Sequence, residues 1–242
     1  MNEKADDDAE NMMTNSNESE GLLESGQSGK NHEPEIPFCG CLSIRYYQPF
    51  FDVDTADIST RIMNSVFFCG RENTFVTLIT ERPDAYGPFW IATTLIFTVA
   101  VTSHINNWLS SWMHGKNWVY DFQSVVSVAS LVYGFSLCVP LAIWFTLGQL
   151  GAKVKLITII CLYGYALFVF VPASLVCLAP SAAASWLVLI GAAIQSTIFL
   201  MRNLAPIFMS HARQQAPIML AAVGLIQLIL TMSLKLGFYN GF

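Results

Sequence analysis

Residue types that could do chemistry are scarce in the apolar part of this chain. From Ala85 onward, Asp121 is the only carboxylate, and His104 is the only histidine that falls in a predicted membrane-spanning segment. Sites that catalyse or move ions within membranes depend on ionisable groups, which are costly there and persist for function. The chain also has no Gly-X-Ser-X-Gly, no His-Glu-X-X-His and no phosphate-binding Gly-rich loop. We therefore expect no catalytic residues and no enzyme activity.

The six cysteines do not follow the spacing of a metal site or a disulfide framework. Cys39-Gly-Cys41 is half of a metal-binding pattern, but no second pair or neighbouring His cluster completes it. Cys138, Cys161 and Cys177 fall in apolar runs. The sequence predicts free thiols and neither a metal nor another cofactor, with reversible acylation at Cys39 or Cys41 as an open alternative.

Two glutamines, Gln195 and Gln227, also fall in apolar runs. Uncharged polar side chains at such positions are typical of hydrogen bonds between membrane helices. A small transporter or channel is the alternative function, favoured by these glutamines and by Pro140 and Pro172, which are expected to kink their helices. A lipid-modifying enzyme around His104 is a third hypothesis, although an interfacial histidine solvated at the headgroups explains its position more simply.

Composition indicates a membrane protein with a separate acidic arm. The chain of 242 residues is 54% hydrophobic and only 12% charged, with a mean hydropathy of +0.49, whereas soluble domains carry about 25% charged residues. Before Ala85 there are six basic and sixteen acidic residues, a net charge of −10, and from Ala85 on there are six basic and one acidic, a net charge of +5. We expect no nucleic-acid partner.

The apolar runs predict an all-α fold, a polytopic helical bundle with five transmembrane helices. A bilayer core needs about twenty helical residues to cross it, and short connections favour antiparallel neighbours. Ser130-X-X-X-Gly134 and Ala192-X-X-X-Ser196 place small residues on one helix face, which permits close helix packing. The predicted spans lie near 88–109, 122–147, 156–178, 183–202 and 217–236.

The part before the first span divides into two predicted regions. Residues 1–37 are acidic, polar and nearly free of aromatics, which predicts disorder. They include Glu18-Ser-Glu-Gly-Leu-Leu23, either an acidic dileucine sorting signal or a plain spacer. Residues 38–83 are expected to form a cytosolic juxtamembrane region whose amphipathic helix lies either on the bilayer or against protein. Its apolar face has helical spacing and comprises Ile58, Ile62, Met63, Val66 and Phe67.

The distribution of basic residues predicts the orientation in the membrane. A cytosolic N-terminal arm places Arg71, Arg82, Lys153, Lys155, Arg202 and Arg213 on the same side, against Lys116 and Lys235 on the other. We therefore expect a cytosolic N-terminus and a lumenal C-terminus.

Two short motifs stand out at the first and third predicted spans. Asp84-Ala-Tyr86-Gly87 has the preferences of a type I turn, and Pro88 suits the first helical position, where its missing N–H costs nothing. Tyr163-Gly164-Tyr165 precedes Pro172 by about two turns and indicates a helix crossing. Both motifs are expected to have structural roles, and the first could also hold a docking surface in place.

Three segments, "YYQPFFDVDTADISTRI", "PDAYGPFWIATTLIF" and "CLYGYALFVFVPAS", resemble the Yip family of Golgi membrane proteins, and most closely its subgroup with "FFDVDT" before the first span. The hallmark Asp-Leu-Tyr-Gly-Pro of that family is matched at Asp84, Tyr86, Gly87 and Pro88, with Ala85 in the place of Leu. Its second hallmark, Tyr-Gly-Tyr, is matched at residues 163–165.

This resemblance implies a five-span membrane domain, here 84–242, in a multi-pass protein of the Golgi or trans-Golgi network that cycles through the ER or early endosomes. It implies a non-enzymatic adaptor in vesicle-mediated protein transport. The implied partners are Rab-type small GTPases and other Yip-family or Golgi membrane proteins, together with the bilayer itself and homo- or hetero-oligomers. The motif residues are the expected partner-docking positions: Asp84, Tyr86, Gly87, Pro88, Tyr163, Gly164 and Tyr165.

Overall fold

The computed structural model describes residues 51, 53–67, 74–113, 115, 122–178, 181–211 and 213–239, all within one compact unit. The predicted disordered arm 1–37, the Glu18–Leu23 pattern and the Cys39–Cys41 pair lie outside the described residues. The described part is built from helices joined by turns and short irregular segments, with no strand among its residues.

Eight helices follow one another along the described chain. Two short ones precede the first span, and the third span is formed by two consecutive helices. Their bounds are α1 Thr55–Phe67, α2 Thr74–Glu81, α3 Tyr86–Met113, α4 Gln123–Gln149, α5 Leu156–Ala166, α6 Phe170–Val176, α7 Ala182–His211 and α8 Ala216–Phe238.

The all-α fold with five membrane spans is confirmed. Five stretches are long and apolar enough to cross a bilayer: α3, α4, α5 with α6, α7 and α8. Helix α3 packs against α4, α5 and α6, while α7 pairs along its length with α8 and also contacts α5 and α6. We call the end of the bundle where α3, α5 and α8 begin the near end, and the opposite end the far end.

Pro172 interrupts the third span, as its position predicts. Because proline has no N–H, the Phe168 carbonyl loses its usual helical donor. The carbonyl instead accepts from the Val171 N–H at 3.0 Å, and the Phe170 N–H bonds to the Leu167 carbonyl, also at 3.0 Å. These three-residue bonds tighten the chain between α5 and α6. Pro140, by contrast, lies inside an uninterrupted α4.

The fourth span is longer than the sequence predicts. Residues 203–216 were expected to form a connecting loop, but α7 continues through Pro206 to His211. Prolines are tolerated in membrane helices where neighbouring elements satisfy the freed backbone groups, so Pro206 does not end the helix. Leu204 and Phe208 in this added part are buried, so packing favours the longer helix.

Helix α4 ends at a glycine that adopts a left-handed conformation. Gly151 has φ +77°. The Ala152 N–H bonds to the Leu147 carbonyl at 3.0 Å, and the Gly151 N–H to the Gly148 carbonyl at 3.1 Å, the pair of bonds that defines a Schellman motif. This turn sends the chain back into the bundle with only the segment 150–155 between α4 and α5.

Hydrogen bonds between spans confirm the role expected of Gln227, whereas Gln195 bonds to Val66 of α1, outside the spans. The Gln227 amide donates to the Ser196 hydroxyl at 2.7 Å, and that hydroxyl donates to the Ala166 carbonyl at 2.9 Å, which joins α8, α7 and α5. Ala192 and Ser196 are both buried. A Cβ atom added to Gly134 would have no neighbouring atom within 4 Å. The small-residue pair Ser130 and Gly134 is therefore not closely packed against another described helix.

Candidate functional site

The first motif forms the start of α3. The Asp84 carboxylate accepts the Gly87 N–H at 3.1 Å, a cap that satisfies one of the donors left free at a helix N-terminus. Pro88 is the third residue of α3, not the first as predicted, because the helix already begins at Tyr86. It still lies in the first turn, where an N–H has no acceptor within the helix.

Two side chains of α5 reach the same aspartate. The Tyr165 hydroxyl donates to the Asp84 carboxylate at 2.8 Å, and the Cys161 thiol donates to the main-chain oxygen of Asp84. Asp84, Cys161 and Tyr165 are each fully buried. Cys161 and Tyr165 are the sixth and tenth residues of α5. Cys161 therefore lies about 8 Å from the start of that helix.

The two motifs pack directly against each other through their glycines. A Cβ atom on Gly87 would lie 2.2 Å from the Tyr165 hydroxyl oxygen, and a Cβ atom on Gly164 would lie 2.4 Å from the Pro88 Cβ. Real Cβ atoms do not approach other atoms this closely, so both positions require glycine. The glycine of each motif thus leaves room for a residue of the other motif. The first and third spans meet at this point.

Arg61 completes the site, although no pattern in the sequence predicts its part in it. One nitrogen of its guanidinium forms an ion pair with the Asp84 carboxylate, and the other donates to the Arg82 carbonyl at 2.7 Å. Arg61 is only 4% exposed. It lies 23 residues before Asp84 on a separate helix, and no local spacing indicates the pairing. We call Arg61, Asp84, Gly87, Pro88, Cys161, Gly164 and Tyr165 the motif cluster.

The predicted apolar face of α1 is not the face that α1 buries most. Arg61 and Ser65 are its buried residues, while Met63 and Phe67 are 56% and 63% exposed. Ile58, Ile62 and Val66 are half-buried. A buried guanidinium must face its carboxylate because an unpaired charge is very costly away from water, and this requirement overrides the apolar pattern in setting the rotation of α1.

Contacts beyond the ion pair hold α1 and α2 against the bundle. The Gln195 amide of α7 donates to the Val66 carbonyl near the end of α1. On α2, the Phe75 ring lies edge-on to Tyr165 and Phe199, with centroids 5.7 Å and 4.9 Å away. Ile79 is fully buried. The juxtamembrane helices therefore pack on the third and fourth spans.

Two of the predicted motif residues lie outside the cluster. Tyr163 is buried near Phe135 of α4, with ring centroids 6.1 Å apart, and its hydroxyl has no hydrogen-bond partner in the described part of the chain. Tyr86 is 40% exposed and lies beside Trp90. Asp84, Gly87, Pro88, Gly164 and Tyr165 are the predicted residues that the fold brings together.

The Asp84 carboxylate joins three parts of the chain in the motif cluster. One guanidinium, one hydroxyl and one backbone N–H satisfy the carboxylate together, which leaves its oxygens committed to the protein. Among the residues that the structure describes, no three His, Cys, Asp or Glu side chains are grouped so that they could hold a metal ion. The arrangement fixes α1 to the first and third spans.

The sequence places no carboxylate inside a span, yet the fold brings Asp84 against the interior of one. The contacts with Cys161 and Tyr165 set this carboxylate beyond the first turn of α5. His104, the other ionisable group considered from the sequence, lies in the same α3 helix sixteen residues after Pro88, about 24 Å farther along it.

Comparison with known proteins agrees with the motifs. Residues 66–234 match the Yip1 domain. The chain is 36% identical over 196 residues to the protein YIPF1 homolog of Dictyostelium discoideum. The aligned region covers 81% of this chain but only 56% of that relative. The chain is 31% identical over 199 residues to protein YIP5 of Schizosaccharomyces pombe, 78% of each chain. The chain thus spans little more than half the length of the first relative. No solved structure matches it.

Proposed function

Because this chain belongs to the Yip family of membrane proteins, we propose that it is a non-enzymatic adaptor for vesicle-mediated transport in the ER, Golgi and trans-Golgi network system. The observation that carries the proposal is the motif cluster. Its two family motifs and Arg61 hold α1 and α2 against the spans. A protein that recruits others needs such a fixed surface more than it needs a reactive group.

The proposed partners are Rab-type small GTPases and other Yip-family or Golgi membrane proteins. The surface that receives them comprises the exposed side of α1 and the near-end turns that carry Lys153, Lys155 and Arg213, all exposed. These basic side chains can pair with acidic groups of a partner. The bilayer covers the apolar outer faces of the five spans, and homo- or hetero-oligomers form through those faces.

The near end is proposed to face the cytosol and the far end the lumen. The excess of basic residues at the near end supports this orientation. We also propose that residues 1–37 form a disordered cytosolic arm, that 38–83 form a juxtamembrane region and that 84–242 form the five-span domain. The match to the Yip1 domain begins at residue 66, within α1, and so includes α2 with the spans.

The described structure does not support the alternative function, a small transporter or channel. Gln195, the residue that suggested it, donates to the Val66 backbone, and Gln227 donates to Ser196. Both amides therefore join helices. Asp84, which could have served as a coupling carboxylate, is bonded to the protein's own donors.

Proximity labelling from a tag on the N-terminal arm in living cells tests the adaptor proposal. We expect wild type to label Rab GTPases and Golgi membrane proteins. The double variant Arg61→Met/Asp84→Asn removes the ion pair without leaving a buried charge, and should lose Rab labelling while still reaching the Golgi. The matched control Lys235→Met removes a buried cation at the far end, away from the proposed docking surface, and should label like wild type.

Two results would count against the proposal. Wild type that labels no trafficking GTPase in native membranes removes the adaptor function itself. Unchanged Rab labelling by the double variant shows that the docking surface does not depend on how α1 is held.

A further inference from the structure

A groove lies beneath α1, bounded by the beginning of α3 and by α6. Its volume is about 190 Å³. Ile58 and Ile62 of α1 form one wall, and the third span forms another through Phe168 and Val171. The remaining lining residues belong to the start of α3, and they are Tyr86, Gly87, Trp90, Ile91 and Thr94.

The lining is mostly apolar, and two of its polar groups, the Thr94 hydroxyl and the Gly87 N–H, are hydrogen-bonded within the protein. The Thr94 hydroxyl donates to the Trp90 carbonyl of its own helix at 2.7 Å. The Gly87 N–H is bonded to Asp84. A ligand that filled this groove would therefore gain from apolar contact and would find few hydrogen-bonding groups.

The groove lies within the membrane-spanning part of the molecule. Trp90, Ile91 and Thr94 belong to the first span, two to six residues after Pro88, while Phe168 and Val171 are twelve and fifteen residues after Leu156 in the third. At 1.5 Å per residue these last two positions are about 18–23 Å from the start of α5. Measured along α3, Trp90 and Thr94 are about 6–12 Å from the start of that helix, so the groove borders the near-end part of the first span.

The groove also continues an outward face of α3. Trp90, Thr94, Phe97 and Val101 recur at spacings of three and four, which places them on one side of the helix. Trp90, Phe97 and Val101 are 50%, 70% and 50% exposed. A helix face of this kind in a membrane span contacts lipid tails, and two of its residues, Trp90 and Thr94, line the groove.

We propose that this groove binds a segment of one acyl chain of a bilayer phospholipid, held between α1 and the first and third spans. The inference depends on the membrane spans and not on the adaptor function. It predicts a lipid that is retained with the protein, because walls from three elements enclose it. The outer face of α8 offers a contrast. It has a shallow apolar depression of about 610 Å³ that is lined only by residues of α8, and lipids there should exchange freely.

The test uses the full chain in nanodiscs made with phosphatidylcholine that carries a photoreactive diazirine on an acyl chain. One sample is illuminated before, and a second sample after, a detergent wash that strips loosely bound lipid, and labelled peptides are mapped by mass spectrometry. We expect label on Trp90 or Phe168 in both samples, and label on α8 only in the sample illuminated before the wash.

Two matched exchanges make the result specific to the groove. Ile62→Trp fills the groove from α1 and should abolish the retained label there. Leu225→Trp makes a similar exchange on the outer face of α8, where Leu225 is 61% exposed, and should leave the groove label intact. Elution of both variants as monodisperse peaks on gel filtration controls for folding.

Three outcomes overturn the proposal. The sample illuminated after the wash could lack label in the groove as it lacks label on α8, or the groove label could persist unchanged in Ile62→Trp. Labelling of the groove by a photoreactive geranylgeranyl probe but not by the phospholipid would assign it to a different hydrocarbon chain. None of these outcomes bears on whether the protein recruits trafficking partners, which the proximity labelling measures separately.

Discussion

The two ends of the first span are joined to the bundle by different chemistry. At the near end, the motif cluster uses a carboxylate paired with a guanidinium. At the far end, five residues form what we call the far-end cluster: Thr102, Ser103, Asn106, Lys235 and Tyr239. The Ser103 hydroxyl donates to the Phe238 carbonyl and the Asn106 amide to the Cys177 carbonyl, each at 2.8 Å, while the Thr102 and Tyr239 hydroxyls share a bond of 2.7 Å.

The far-end cluster satisfies the carbonyls that helices leave unpaired where they end. Phe238 is the last residue of α8, and Cys177 follows the last residue of α6. Lys235 donates to the Tyr239 carbonyl at 2.6 Å, and its ammonium lies 5.8 Å from the centre of the Trp186 ring. In the described chain no carboxylate forms an ion pair with Lys235.

This difference separates two structural tasks. At the far end, the spans are joined by neutral hydrogen bonds to carbonyls at helix ends. These carbonyls have no partner within their own helix. Holding α1, an element outside the spans, requires a stronger and more directional contact, and a charged hydrogen bond is roughly twice as strong as a neutral one. The near end should therefore tolerate single substitutions much less well than the far end.

Removal of one partner of the buried ion pair should have the largest effect. Arg61→Met leaves Asp84 charged and uncompensated, which we expect to lower the free energy of unfolding by about 3–5 kcal/mol. Arg61→Met/Asp84→Asn should recover most of this loss, because the amide still accepts from Gly87 and Tyr165. Denaturant titration in mixed micelles measures both. A double variant as unstable as the single one would show that the charge itself is not what matters.

Closing the gap between the two motifs should come next. Gly164→Ala puts a Cβ 2.6 Å from the Pro88 Cα, and backbone cannot move aside as a side chain can. We expect a loss of about 3 kcal/mol, the upper part of the range for overpacking. Gly134→Ala is the matched control, since nothing lies within 4 Å of its added methyl. Equal stability of the two variants would contradict the close approach of α3 and α5.

The same exchange at each end gives a direct comparison. Tyr165→Phe removes a hydrogen bond to a carboxylate, and Tyr239→Phe removes one to the Thr102 hydroxyl. Bonds to charged groups contribute about 1.5–3 kcal/mol and neutral ones about 0.5–1.5 kcal/mol, so we expect the first loss to be about twice the second. Thermal unfolding followed by size-exclusion chromatography would reveal the order, and a reversed order would refute it.

Replacement of the far-end cation should have the smallest effect. Lys235→Met removes a buried charge that has no acidic partner in the described chain, and it also removes the donor to the Tyr239 carbonyl. These changes oppose each other, because burying an ammonium is costly while an unmet carbonyl is costly too. We expect a net change within about 1 kcal/mol, against the much larger loss for Arg61→Met. A loss as large as that of Arg61→Met would mean that both ends depend on charge.

The sequence predicted the parts of the near end that are contiguous along the chain. Asp84 to Pro88 contains the chemistry of a helix start, and Gly164 between two tyrosines indicates close packing, so both motifs were found. Arg61 was not found because its partner is 23 residues away and the choice between several acidic residues is made only when helices pack. The rotation of α1, which the sequence left open between bilayer and protein, depends on the same pairing.

What the sequence determined by itself is the number of spans, because each apolar run is long enough to cross a bilayer and must satisfy its backbone within a helix. It also indicated a distortion at Pro172, although Pro140 and Pro206 lack the same N–H within continuous helices. Tertiary structure decided the rest: that α7 continues past Pro206, that Gly87 and Gly164 face each other's motifs, and that Asp84 is held by Arg61. These depend on distances between elements, and a buried charge or a crowded glycine acquires its role only from the neighbour that packing brings to it.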